Sequence, residues 1–279
     1  MIHLLIQCVG RLPLRALHAI GEVAGWLTYW CSPTYARRLR ENLSGSGLCS
    51  GDSYKSLQKQ NVAETGKGAL ELTALWFAPD ESIQRWAHCD TWALVERARK
   101  LGQGVIFLTP HLGGFEICAQ YIAQRTPITV LYRPPKLRWL EPLMIAGRSR
   151  WGAQVAPTNL RGVRQFYKAL QRGEAVGLLP DQNPGAGEGA WADFFGRPAY
   201  TMTLVSRLQK ATSALLVMVH AERLPRGAGY QLYFDVLPSA DFDEIALNRA
   251  IEAAVRRCPA QYLWGYNRYK VPAGAKVPA

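Results

Sequence analysis

Hydrophobic and polar positions follow two different periods along the middle of the chain. Short apolar runs typical of buried strands are followed by stretches with the three-to-four-residue repeat of amphipathic helices. The strands predicted from these runs cover residues 105–109, 128–132, 175–179, 214–220 and 231–237. The predicted helices cover residues 54–77, 92–100, 116–124, 141–150, 162–171, 202–212 and 243–257. This alternation predicts an α/β fold in which helices flank a central mixed sheet.

The first 30 residues are apolar but are not predicted to cross a membrane. Polar or helix-breaking residues interrupt the run at Arg11, Pro13, Arg15, His18 and Glu22. No stretch therefore reaches the roughly 20 apolar residues of a spanning helix, and no cleavage pattern indicates a secretory signal. Apolar residues still recur along one side of a predicted helix: Leu4, Leu5, Val9, Leu12, Leu17, Ile20, Val23, Trp26, Leu27 and Trp30. Since Arg37, Arg38 and Arg40 follow, residues 1–45 are predicted to form a membrane-associated helical segment.

The composition indicates one main domain that prefers anionic partners. The chain has 279 residues, of which 48% are hydrophobic and 19% charged, so residues 46–279 are assigned to a single globular domain. A net charge of +12 favours nucleic acid, an acidic protein or an anionic membrane. Nine Trp and twelve Tyr favour the membrane interface among these, so nucleic acid is not the expected partner.

Cysteine and histidine spacing points away from metal and disulfide chemistry. The six cysteines are scattered and form no CxxC pair, and the five histidines have no HxxxH or HxH spacing. We therefore expect no bound metal. Reduced thiols are typical of a protein exposed to the cytosol.

The turn after the first predicted strand, Thr109-Pro110-His111-Leu112-Gly113-Gly114-Phe115-Glu116, has the clearest chemistry. On a continuous helix His111 and Glu116 would point about 140° apart. A turn containing Pro110 and two glycines instead lets His111 precede the helix while Glu116 faces back toward it. The carboxylate would then fix the imidazole tautomer, and the other ring nitrogen could take a proton from a hydroxyl nucleophile.

The same turn has a second chemical use and a simpler alternative. Free amides at the start of the predicted helix could hold a phosphate or a developing oxyanion. The alternative is that His111 only caps the helix and Glu116 only favours its first turn electrostatically. From the residues alone, both interpretations stay open.

Three further groups of polar residues follow predicted strands or begin predicted helices. Arg133 ends a strand, where a guanidinium is well placed to bind a phosphate or carbonyl oxygen. Arg161 and Arg164 share a helix face and could bind phosphate, although a solvated basic face is the alternative. Asp181 and Gln182 lie in a turn directly after a strand, where Asp181 is interpreted as a structural brace.

Together these motifs resemble the lipid A late acyltransferases of the lysophospholipid acyltransferase superfamily. His111 to Glu116 is similar to the first family motif, Tyr132-Arg133-Pro134 to the second, and Asp181-Gln182 to the third. The segment Phe194-Phe195-Gly196-Arg197-Pro198-Ala199 and the closing segment from Gln261 to Lys270 also resemble family motifs.

The resemblance implies a glycerolipid acyltransferase-like fold and an enzyme on the cytoplasmic face of the inner membrane. It implies transfer of a fatty acyl chain from acyl carrier protein to a hydroxyl of a lipid A precursor, an anionic glycolipid, without a cofactor. His111 would be the base and Glu116 its orienting carboxylate. Substrate-binding roles are implied for Gly113, Gly114, Arg133, Arg161, Arg164, Asp181 and Gln182. Phe194 to Ala199 would form an apolar wall for the acyl chain.

Two alternatives remain at this stage. The acceptor could instead be a lysophospholipid, a phosphatidylinositol mannoside or an amino-lipid. A protein of another class, a non-catalytic basic membrane-binding protein, would use the same fold without acyl transfer.

Overall fold

The structure of the protein is a computed structural model that describes residues 2–100, 102–135 and 137–275. Along the chain, five helices come first, and helices and strands then alternate. The first elements are α1 (Ile2–Gly10), α2 (Leu14–Cys31), α3 (Pro33–Gly45), α4 (Gly51–Phe77) and α5 (Asp80–Trp86). The middle elements are β1 (Ala87–Cys89), α6 (Trp92–Arg99), β2 (Val105–Leu108), α7 (Phe115–Ala123), β3 (Ile128–Tyr132), α8 (Glu141–Arg148), β4 (Gln154–Pro157), α9 (Leu160–Gln171) and β5 (Ala175–Leu178). The last elements are β6 (Gly189–Phe194), β7 (Arg197–Met202), α10 (Leu204–Thr212), β8 (Leu215–Arg223), β9 (Tyr230–Val236) and α11 (Glu244–Arg257).

Seven strands form one mixed sheet in the order β1-β9-β8-β2-β5-β3-β4. Strand β2 lies at the centre and runs parallel to β5 and β8, while β9 runs antiparallel to β8. Helices connect most of the parallel strands, as parallel pairing requires. The predicted α/β fold with a central mixed sheet is therefore confirmed. Sequence patterns missed β1, the edge strand β4 and the separate β6–β7 hairpin.

Both faces of the sheet are covered by helices. Because side chains alternate along a strand, Val105 and Phe107 of β2 face a core shared with α5, α6 and α7. Their neighbours Ile106 and Leu108 face a second core shared with α9, α10 and α11. All four side chains are buried, which explains why β2 is uniformly apolar.

The N-terminal helices pack closely on α4. At Gly66 of α4, an added Cβ would lie 2.0 Å from the carbonyl oxygen of Gly21 and 2.5 Å from the amide nitrogen of Gly25, so only glycine permits this contact with α2. Helix α3 is tied to the C-terminal segment, because the Asn42 side-chain amide donates to the carbonyl of Trp264 at 2.7 Å. Helices α2 and α3 thus contribute side chains to the same cores as the sheet.

A buried charged cluster also joins α2 to α4 and the sheet. The Glu71 carboxylate of α4 accepts hydrogen bonds from Nε of Arg223 at 2.7 Å and the Tyr230 hydroxyl at 2.9 Å, and it lies 3.1 Å from Nε2 of His18. Glu71 is 1% exposed and Arg223 5%. Burial alone would raise the pKa of Glu71, but the charge of Arg223 outweighs it and holds that pKa below its usual value.

The side of α2 predicted to be apolar is divided between the core and the surface. Leu17 is fully buried and Trp26 half-buried, whereas Ile20, Val23, Leu27 and Trp30 are exposed, as is Leu12 just before α2. The side chains of Leu4 and Leu5 lie outside the part of the chain that is described. Across residues 2–100, 102–135 and 137–275, no helix combines the length and the apolar character needed to cross a membrane.

Candidate active site

Two neighbouring parallel strands bring His111 and Asp181 together. Strands β2 and β5 pair in a register that places Leu108 opposite Leu178, and each site residue lies three positions beyond its strand. From β2 the chain continues into α7 on one face of the sheet, while the connection from β5 leads to α10 on the other face. The crevice that opens between such strands at their carboxyl ends is where α/β sheets commonly bind ligands.

His111 is held by the carboxylate of Asp181 at two points. Its Nδ1 lies 2.8 Å from Oδ1, and its backbone amide donates to Oδ2 at 2.9 Å. Asp181 is 2% exposed; burial alone would raise its pKa, but the hydrogen bonds from His111, together with the charge of the imidazole when it is protonated, hold that pKa below its usual value. An ionised Asp181 accepts the Nδ1 proton, which leaves Nε2 with a free electron pair.

Glu116 has a different partner from the one its motif suggested. Its carboxylate accepts from Nε of Arg148 at 3.0 Å, from Nη2 of the same guanidinium and from the Trp76 indole at 3.3 Å. As the second residue of α7, Glu116 turns toward α4 and α8 rather than toward the end of β2. The carboxylate at Nδ1 of His111 is therefore Asp181. Sequence reasoning assigned Asp181 a bracing role and missed this contact.

Gly113 and Gly114 form the turn, and their backbone amides donate hydrogen bonds to carbonyl groups of the protein. The Gly113 amide donates to the Gln261 carbonyl at 3.1 Å, and the Gly114 amide donates to the Ala221 carbonyl at 2.8 Å. Gly113 has φ of +59°, and a Cβ there would lie 1.9 Å from the Ala221 oxygen. Gly113 thus permits close backbone contact with β8, Gly114 leaves room for the Tyr230 ring of β9, and neither amide is available to a ligand.

The amides that remain for a ligand belong to the next two residues. Within the described residues, the amides of Phe115 and Glu116 make no recorded hydrogen bond, as expected at a helix N-terminus. The Phe115 ring centroid lies 5.0 Å from that of His111. The start of α7 therefore offers two donors beside the imidazole, where they could stabilise a developing oxyanion.

The three predicted substrate-binding arginines lie along the same edge of the sheet. Arg133 directly follows β3, while Arg161 and Arg164 lie in the first turns of α9, after β4. All three are exposed, and their side chains make no recorded ion pair within the described ranges. Strands β5 and β4 are two positions apart, so the strand before α9 lies roughly 10 Å from the strand before Asp181. Arg133 is nearer, because it follows β3, which pairs directly with β5. The three exposed arginines are called the basic rim.

A narrow apolar pocket lies beside His111, between the sheet and α7. It is lined by side chains that include Phe115, Ala119, Ile122 and Ile128, with Arg148 and Glu116 in one wall. Its cavity volume is about 40 Å³. The lining includes Thr109, two residues before His111, and Phe115, whose ring centroid lies 5.0 Å from that of the imidazole.

The Phe194 to Ala199 segment has a structural place instead. Phe194 and Phe195 are buried in the β6–β7 hairpin region, in the core beneath α11, where Phe195 packs against Trp264. The prediction that this segment lines the acyl chain is not supported by its position. Its apolar character reflects a core contact between the hairpin and the C-terminal segment.

The closing C-terminal segment supports the turn that carries Asp181. Arg268 is 2% exposed and donates to the Asn183 side-chain oxygen at 3.1 Å, the Tyr200 carbonyl at 2.8 Å and the Thr201 hydroxyl at 2.7 Å. Burial and the nearby Asp181 charge raise the pKa of Tyr262 well above its ordinary value.

Within the described ranges, no three His, Cys, Asp or Glu side chains come together to hold a metal ion.

A histidine and a carboxylate thus meet at the carboxyl ends of two parallel strands, the edge at which α/β proteins commonly bind their ligands. The model of the bacterial lipid A biosynthesis acyltransferase family matches residues 2–271, and the chain belongs to this family. It is 28% identical over 282 residues to the lipid A biosynthesis palmitoleoyltransferase of Escherichia coli K12, covering 95% of this chain and 88% of the relative. It is 26% identical over 276 residues to the lauroyltransferase of the same strain, covering 94% and 88%.

Proposed function

We propose that this protein transfers a fatty acyl chain from the thioester of acyl carrier protein to a hydroxyl group of a lipid A precursor. The observation that carries the proposal is the His111–Asp181 pair at the carboxyl edge of the sheet. Family membership supports the substrate class. The site itself supports the reaction type, because a histidine with a fixed tautomer is suited to deprotonating a hydroxyl.

In the proposed reaction, Nε2 of His111 takes the proton from the acceptor hydroxyl while its oxygen attacks the thioester carbonyl carbon. Asp181 stabilises the imidazolium that forms. The amides of Phe115 and Glu116 donate to the tetrahedral oxyanion. When the C–S bond breaks, the imidazolium returns the proton to the departing sulfur, leaving an ester and a free thiol.

The basic rim formed by Arg133, Arg161 and Arg164 would bind the anionic parts of the substrates. All three guanidinium groups are exposed at the edge of the sheet where His111 lies. Guanidinium groups bind phosphate in a bidentate manner, and a phosphorylated glycolipid or an acidic carrier protein offers complementary charge. The net charge of +12 favours encounter with both.

The exposed side of α2 supports attachment to an anionic membrane surface at the cytoplasmic face. Ile20, Val23, Leu27 and Trp30 are 52%, 60%, 53% and 68% exposed and recur at helical spacing on one side of α2. This group is called the α2 stripe. Apolar stripes with basic neighbours typically lie in the membrane interface, and Arg37 and Arg40 of α3 are exposed nearby in sequence.

Substituting glutamate for both Val23 and Leu27 is expected to weaken binding to anionic vesicles by about 10-fold or more. Each substitution withdraws a partly exposed apolar side chain worth about 1 kcal/mol of interfacial burial. Sedimentation with phosphatidylglycerol vesicles measures the effect. The matched control changes the exposed residues Gln154 and Gln171 to glutamate, which alters net charge equally. Equal loss of binding in both variants would assign attachment to charge alone.

Acyl transfer should be tested with purified protein, acyl carrier protein loaded with a fatty acid, and a lipid A precursor. We expect an added acyl group by mass spectrometry, and loss of that product in His111→Ala. Lysophospholipid and amino-lipid acceptors should be assayed in parallel. Transfer to one of these but not to the lipid A precursor would overturn the proposed acceptor, and unimpaired transfer by His111→Ala would overturn the proposed base.

A further inference from the structure

The nitrogen of His111 that would take the proton is already occupied. Its Nε2 lies 3.1 Å from Nε2 of Gln182. Because Nδ1 donates to ionised Asp181, Nε2 must be the acceptor in this contact and the Gln182 amide must be the donor. An incoming hydroxyl can therefore reach the base only after the amide has moved away.

Gln182 is a movable side chain on a fixed turn. On one side, Asp181 is anchored by its two hydrogen bonds to His111. On the other, the Asn183 amide donates to the Tyr266 hydroxyl at 3.0 Å, and the Asn183 side chain is bonded to Arg268 and to the Lys270 carbonyl. The Gln182 side chain itself is half-buried and has one recorded hydrogen bond among the described residues, the one to His111.

We propose that the Gln182 side chain is a gate on the base, closed on Nε2 until an acceptor hydroxyl takes its place. The gate rests on the proposed acyl-transfer function. Such a gate would protect the acyl donor. A thioester bound beside a histidine whose Nε2 is free can be attacked by water. With the amide on Nε2, water has no base to receive its proton.

The reaction that the gate suppresses is hydrolysis of the donor. Water would give a proton to Nε2 of His111 while its oxygen attacks the thioester carbonyl carbon. The C–S bond would then break and the imidazolium would return the proton to sulfur. The products are a free fatty acid and the carrier thiol, so an acyl group is lost without any acceptor being modified.

Gln182→Ala is expected to raise the rate of acyl-donor hydrolysis without acceptor by about 2- to 10-fold, the change in open population expected for one hydrogen bond of ordinary net strength. The ratio of free fatty acid to transferred acyl chain should rise by a similar factor when acceptor is present. Acyl carrier protein loaded with a labelled fatty acid reports both products. A purely structural role would instead lower both rates together with the melting temperature.

Two further variants separate the gate from other effects. The double variant His111→Ala, Gln182→Ala should lose the added hydrolysis, since both reactions use the same base. Gln182→Glu keeps the side-chain length but accepts a proton from the imidazolium, which favours charged His111. The rise of the transfer rate with pH should therefore move to higher pH in both variants, because both lose the amide that donates to neutral Nε2, and it should move further in Gln182→Glu than in Gln182→Ala.

The outcomes distinguish the gate from the function on which it rests. If wild-type protein transfers acyl chains but Gln182→Ala, folded by its melting temperature, hydrolyses the donor no faster, the gate is wrong and the function stands. If wild-type protein neither transfers nor hydrolyses an acyl chain with any acceptor, both are wrong. Hydrolysis that persists in the double variant would also overturn the gate.

Discussion

The rate of acyl transfer is expected to fall by about 10²–10⁴-fold when Asp181 is replaced by asparagine, the range that a positioned base typically contributes. The amide can donate to Nδ1 of His111 and so select the tautomer whose Nε2 carries the proton. It also cannot stabilise the imidazolium. Single-turnover transfer, normalised to folded protein, measures the loss.

Glu116→Gln is the matched control, because it makes the same chemical change in the motif that contains His111. Glu116 is 5% exposed and paired with Arg148, whose side chain is 17% exposed, so its loss leaves a partly buried guanidinium without its counter-charge. The cost in stability should lie below the about 3–5 kcal/mol typical of a fully buried pair. Turnover of the folded fraction should fall far less than in Asp181→Asn. The opposite ranking would restore Glu116 as the carboxylate that orients the base.

The largest stability loss is expected from Glu71→Gln. Glu71 accepts hydrogen bonds from Arg223 and Tyr230 and contacts His18 in a site closed to solvent. Removing one partner of a buried ion pair costs about 3–5 kcal/mol, which corresponds to a fall in melting temperature of about 6–20 °C for a protein of this size. Thermal unfolding monitored by circular dichroism tests this value.

The exposed ion pair between Arg172 and Glu174 is the control for the stability loss in Glu71→Gln, and the pH dependence of stability is a second test of the Glu71 charge. Arg172→Gln breaks a pair with side chains 53% and 28% exposed, and such exposed pairs contribute little to stability. The folded pKa of Glu71 lies below its usual value near 4.5. Its contribution to stability is therefore full above that pH and is lost as the pH falls below it. Glu71→Gln should remove this part of the acid sensitivity, and an unchanged acid limb would contradict the assignment.

The sequence predicts most of the sheet because its central strands obey simple local rules. Strand β2 is apolar throughout and is bounded by Gly104 and Pro110, and the amphipathic pattern of α9 continues to Gln171 as predicted. Edge strand β4 and the three-residue β1 lack such signals, because partly exposed or short strands need no continuous apolar run.

The site was predicted less well because its decisive contacts join distant parts of the chain. The motif spacing linked His111 to Glu116, five positions away, whereas the structure links it to Asp181, 70 positions away. One signal was available: His111 and Asp181 each follow a predicted strand by two positions, counted from residues 109 and 179. If those strands are neighbours in register, the two residues must meet. Nothing in the local pattern identified Arg148 as the partner of Glu116.

The close contact between Gly66 and the backbone of α2 limits how this protein can be shortened. A chain beginning at α3 would leave the backbone groove of α4 open to water and would remove His18 from the Glu71 cluster. Helix α2, which carries the exposed apolar stripe, is thus also packed into the folded domain through its contact with α4. Polar substitutions at the exposed residues Ile20, Val23, Leu27 and Trp30 would remove this apolar surface and keep the contact between α2 and α4, which deletion of α2 would destroy.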